Sequence, residues 1–135
     1  MKLIKHKNLV LLLAILFIQM GLTASAQDEI LSNGKLALKT GNSRELARYF
    51  NDIVEISFEG EKASYSKTHA EFVLKDFFKK YPPTDFQYIH QGASKEGMKY
   101  AIGKYSYPGG AFRVYILIKQ FKGVYLIDTL DFSEE

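Results

Sequence analysis

From Leu9 to Ile18 no polar residue interrupts the chain, and from residue 28 onward the apolar positions fall into two alternating rhythms. The first is helical. Ile30, Leu31, Ala37 and Leu38 recur at helix spacing behind acidic Asp28 and Glu29, which predicts a helix over 28–38, weakened at Gly34 by about 1 kcal/mol relative to alanine. "KTGNS" then breaks the pattern, with Gly41 suited to the C′ position and Asn42 or Ser43 to an N-cap, and a short second helix follows to Phe50. "NDIVEISF" changes to period two, placing Val54, Ile56 and Phe58 on one side, and "KASY" after the "EGE" turn is its partner strand. Ser66 or Thr68 caps a third helix in which Ala70, Val73, Leu74, Phe77, Phe78 and Tyr81 form a wide apolar stripe, ended by Pro82 and Pro83. Four alternating strands complete the chain, at about 85–91, 99–107, 112–121 and 124–132.

The order ααββαββββ describes an α+β domain whose helices cover one face of an antiparallel sheet. Turn chemistry sets the expected register. A two-residue loop at Lys122 and Gly123 places Ile118 opposite Ile127 and Val114 opposite Asp131. "YPGGAF" places Tyr107 opposite Phe112, and a loop at 94–97 places His90 opposite Ala101, Tyr88 opposite Gly103 and Phe86 opposite Tyr105. Strict alternation then puts Phe86, Tyr88, His90, Tyr105, Ile116 and Asp131 on the helix-packed face. Ile89, Tyr100, Ile102, Tyr115, Leu117, Leu130 and Phe132 go to the other, rimmed by Lys104, Arg113, Lys119 and Asp128.

The N-terminal segment changes the reading of charge and compartment. Lys2, Lys5 and Lys7, the apolar run and "TASAQ" form the three regions of a secretory signal peptide, with cleavage expected after Ala26, leaving residues 27–135 as one domain. The run meets Gln19 and Gly21 short of a membrane span, so no stable membrane insertion is expected after cleavage. Eighteen basic and fifteen acidic residues become fifteen of each once the leader is removed, which excludes a net positive field for nucleic acid. The chain has no cysteine, hence neither disulfides nor a lipidated N-terminal cysteine.

"HQGASKEGMKYAIGKY", "FRVYILIK" and "YLIDTLDF" resemble a family of small secreted proteins catalogued as domain of unknown function 4783, and the element order resembles the nuclear transport factor 2-like cone. That resemblance implies a curved sheet wrapped on about three helices with a pocket between them, and no activity.

Candidate chemistry is sparse. "SNGK" with "KTG", and "GASKEG", match acyl-transfer motifs only by coincidence, because they lie on one helix end and in a hairpin loop. His69 and His90 are the only histidines after the leader, so no zinc spacing exists and no metal or cofactor is implied. His69 flanks the apolar stripe of its helix. On the helix-packed face His90 and Asp131 are separated by four residues along a strand, about 13 Å, too far for a catalytic pair. His90 is read as a core or edge histidine that could line a pocket, and Asp131 as the polar anchor of a pocket at the cone mouth, with the Tyr88 and Tyr105 hydroxyls as partners. The leading expectation is an exported, periplasmic or secreted, non-enzymatic module that binds a small molecule in the cone or a protein on the sheet. The alternative is an isomerase- or dehydratase-like enzyme with Asp131 as base. The apolar patch of Ile102, Tyr115, Leu117, Leu130 and Phe132 is expected to carry an interface, with a second copy as a homodimer or with a different partner.

Overall fold

The computed structural model describes residues 8, 10–11, 26, 28–94 and 96–135; the expected leader lies almost wholly outside them. Helix α1 spans 28–40 and buries Ile30, Leu31, Ala37 and Leu38. Gly41, at φ 66°, turns the chain where a side chain would be strained, and Asn42 N–H donates to the Ala37 carbonyl at 2.8 Å. Asn42 also caps α2 (Ser43–Ala47), its side chain accepting from Glu45 N–H at 3.1 Å. This helix is shorter than expected, because Phe50 already opens strand β1 (Phe50–Phe58). β2 (Glu61–Ser66) returns antiparallel to it, and Ser66 caps α3 (Lys67–Lys80) by accepting from His69 N–H at 3.2 Å. Ala70, Leu74, Phe77 and Phe78 are the buried stripe of α3. His69 sits outside it, edge-on to Tyr65.

Strands β3 (Asp85–Ala93), β4 (Lys99–Tyr107), β5 (Gly110–Phe121) and β6 (Val124–Glu134) follow as an antiparallel meander. The sheet runs β2-β1-β6-β5-β4-β3, and among the described residues its one parallel contact joins β1 to β6, the first and last of these strands. It is curved and open, an α+β arrangement with its core between the helices and one sheet face.

The expected register holds in three places and fails in three. Phe121 faces Val124 and Ile118 faces Ile127, as the Lys122–Gly123 turn requires; both turn residues have positive φ. Phe86 faces Tyr105 and Tyr88 faces Gly103. At Gly103 a Cβ would run into the Phe86 ring, so glycine here lets the wholly buried Phe86 lie across the neighbouring strand. The loop between β4 and β5 is two residues, Pro108 and Gly109, so Tyr107 faces Gly110 and Tyr105 faces Phe112. That is a slip of two from the expected pairing, and it leaves each side chain on its expected face.

The other two departures are β-bulges. One falls between Tyr88 and His90, so His90 faces Ile102 instead of Ala101. The other falls after Ile127, so Leu117 faces Thr129, Tyr115 faces Asp131 and Val114 faces Phe132. One extra residue reverses the face of every position beyond it. His90 and Asp131, expected on the helix-packed face, therefore lie on the outer face. Leu130 and Phe132, expected in an exposed patch, are wholly buried in the core.

Candidate functional site

The space between helices and sheet is filled by the protein's own side chains. Tyr105, Phe86, Phe132, Phe50, Leu38 and Leu46 are all at most 1% exposed, and Phe77 packs among Phe58, Phe112 and Phe132 with ring centroids 4.6–5.2 Å apart. Two of the four residues expected to line a pocket are bound into this interior as structural ties. The Tyr88 hydroxyl donates to the Leu31 carbonyl of α1 at 2.6 Å, and the Tyr105 hydroxyl donates to the Tyr81 carbonyl at the end of α3. Each fastens a strand to a helix end, where carbonyls lack partners within the helix or can take a second donor.

Burial pushes both phenols well above the usual tyrosine range. The folded state holds them neutral, so their contribution is complete below about pH 10, where an unfolded tyrosine ionises, and declines as pH rises toward the folded value. Tyr88→Phe is expected to cost about 1 kcal/mol at neutral pH and to flatten the fall in stability above pH 10. Urea midpoints measured at neutral and alkaline pH check this. An unchanged alkaline slope would mean that Tyr88 is not held neutral by the fold.

The structure does not bring Asp131 to these tyrosines. Asp131 stands on the outer face opposite Tyr115, with Ser57 beside it on β1. Ser57 Oγ and Asp131 Oδ1 are shielded from solvent and lack a hydrogen-bond partner among the described residues. His90 is exposed on the same face, its Nε2 3.2 Å from the Tyr100 hydroxyl. The base-and-phenol arrangement expected inside the cone is thus split between two sides of the sheet.

What the outer face does assemble is a contiguous surface. Ser57, Asp131, Tyr115, Ile102 and His90 form one row across β1, β6, β5, β4 and β3. Glu55, Thr129, Leu117, Tyr100 and Gly92 form the next. Tyr100 and Tyr115 stack at 6.1 Å and 26° between these rows, and the Tyr100 ring covers Gly92 where a Cβ would not fit. Ile102, Tyr115, Leu117 and Tyr100 are half-buried. Around them, Lys104 and Arg113 occupy the β4–β5 side, Glu55 and Asp131 the β1–β6 side, and Lys119 pairs with Asp128 at 3.2 Å.

A second feature had no signal in the sequence pattern. On the helix side, a groove of about 300 Å³ opens where the carboxyl end of α3 meets the β1–β2 turn and the ends of β5 and β6. Phe58, Phe77, Tyr81 and Phe112 form its floor, and Glu59, Asp76, Glu134 and Lys80 its rim. Among the described residues no cluster of potential metal ligands occurs.

Comparison with known proteins places this geometry. The sequence model of the domain of unknown function DUF4783 matches residues 32–133. The crystal structure of a DUF4783 family protein from Bacteroides ovatus is 29% identical and superposes with a TM-score of 0.72, covering 76% of this chain and 93% of that one. One from Bacteroides fragilis is 26% identical, with a TM-score of 0.72 over 76% and 96% of the two chains. An NTF-2-like protein of unknown function from Silicibacter pomeroyi, 13% identical, has a TM-score of 0.60 over 86% and 98%, a likeness of fold alone. No curated protein matches the sequence.

Proposed function

The chain belongs to the DUF4783 family, and from that premise we propose that it is an exported, non-catalytic interaction module that pairs with a second copy of itself through the outer face of its sheet. The observation that carries the proposal is the division of the residues between the two faces. The interior that would hold a ligand in a cone of this kind is packed with Tyr105, Phe86 and Phe132, while Tyr100, Ile102, Tyr115 and Leu117 stand together outside. An apolar patch inside a charged rim is the composition of an interface core.

The charges favour a second copy as the partner. A twofold axis lying along the strands between β5 and β6 would set the Lys104 and Arg113 side of one protomer over the Glu55 and Asp131 side of the other. The basic side of each protomer would then lie toward the acidic side of the other, an attraction that the symmetry repeats. Two such sheets pack face to face at about 10 Å, a distance that the stacked tyrosines and Leu117 can fill. Export is supported by the leader pattern of residues 1–26.

Sedimentation of the protein recovered after export by its own leader is the test. A concentration-dependent dimer is expected, weakened about 30-fold by Leu117→Lys, the loss of a hot spot worth ~2 kcal/mol, with unchanged folding. A monomer at every accessible concentration would overturn the pairing.

A further inference from the structure

We propose that the groove at the carboxyl end of α3 binds a small organic cation, an ammonium carried on an aromatic or apolar body. The site lies on the helix-packed side of the sheet and is independent of the outer face. Its floor offers the faces and edges of four aromatic rings, with Tyr81 and Phe112 edge to face at 4.9 Å and Phe77 and Phe112 at 5.2 Å. Ring faces attract a cation within about 6 Å of their centroids, and Lys80 Nζ, 5.4 Å from the Tyr81 centroid, already makes such a contact at the rim.

The rim carries three carboxylates against this one ammonium. Among the described residues neither Glu59 nor Asp76 nor Glu134 enters an ion pair, although other acidic side chains of the domain do. One of the three carboxylates is held in place, and the backbone that carries a second is fixed beside it. Glu59 N–H donates to the Phe132 carbonyl at 2.8 Å, and Glu59 Oε1 accepts from Glu134 N–H at 2.5 Å. The turn that carries Glu59 is thus latched to the strand end that carries Glu134, and their negative charge is set over an apolar floor before anything binds.

These features select the occupant. An anion meets three like charges. A neutral apolar molecule covers the floor but strips water from the carboxylates and returns no hydrogen bond. An ammonium group on an aromatic body satisfies both, with its donors toward the rim and its ring on the floor. A volume of about 300 Å³ is at the small end of ligand sites, which suits an arylalkylamine and excludes a folded partner.

Phenethylammonium, with 2-phenylethanol and phenylacetate as its neutral and anionic counterparts, tests the assignment by NMR titration of the protein. Phenethylammonium is expected to shift the ring resonances of Phe58, Tyr81 and Phe112 and to bind more tightly than the alcohol, with phenylacetate weakest. The double variant Asp76→Asn/Glu134→Gln should lose about tenfold in affinity for the amine and none for the alcohol. Both positions are exposed, so the variant keeps its denaturation midpoint. Equal affinity of amine and alcohol for the parent protein, or shifts that bypass the groove, would overturn the proposal whether or not the variant folds.

Discussion

Leu130→Lys is expected to leave no folded protein at 25 °C, while Leu117→Lys on the neighbouring strand leaves the fold intact. Leu130 is wholly buried, facing Ile116 on one side and Ile56 on the other. Removing its side chain from water contributes about 1.5–3 kcal/mol, and an unpaired ammonium in its place adds a penalty of several kcal/mol more. A domain of this size is stable by only about 5–15 kcal/mol, so the two losses together consume most or all of it. Leu117 points the other way, toward the outer face, where a lysine keeps its head group in water. Circular dichroism and urea titration distinguish the two. A cooperative transition for Leu130→Lys within about 1 kcal/mol of the parent would mean that β6 carries no bulge after Ile127.

Phe77→Ala should cost about 3–5 kcal/mol, the range for deleting a large ring from a packed core. Phe77 joins α3 to three strands at once, through Phe58 on β1, Phe112 on β5 and Phe132 on β6, with Phe132 closest at 4.6 Å. No neighbour can collapse into the space without leaving another ring uncovered, so the cavity persists. Phe72 on the same helix is 56% exposed, and its truncation should change stability by about 0.5 kcal/mol or less. The shift in denaturant midpoint between the two variants measures the difference, and equal shifts would show that α3 does not present Phe77 to the sheet.

Nearly all the elements can be read from local pattern, because caps, prolines and period changes act within a few residues. Ser66, Asn42 and Gly41 do what their chemistry requires. The faces could not be read beyond the bulges. In "LIDTLDF" strict alternation puts Thr129 and Asp131 inside, whereas a three-residue step from Ile127 to Leu130 puts two apolar residues there instead. The polarity of Asp131 was the available warning, since an alternation that buries a carboxylate and exposes Leu130 and Phe132 is physically unfavourable. Nothing comparable marks the bulge before His90, which sits on an edge strand where either face is partly solvated. The groove was invisible for a different reason. Glu59 and Glu134 meet only because β1 and β6 run side by side in parallel, a contact between distant parts of the chain that no local period encodes.

That same pairing governs when the domain can form. β6 lies between β1 and β5, so until residues 124–134 have been synthesised the strands constitute two separate pieces, a hairpin and a three-stranded meander, with no shared sheet. An isolated hairpin is marginal in water, and α3 has only part of its aromatic socket without Phe132. The native state is therefore closed to a nascent chain until β6 has been made. The order of the strands thus makes the final one the keystone, which joins two pieces that have no common sheet without it.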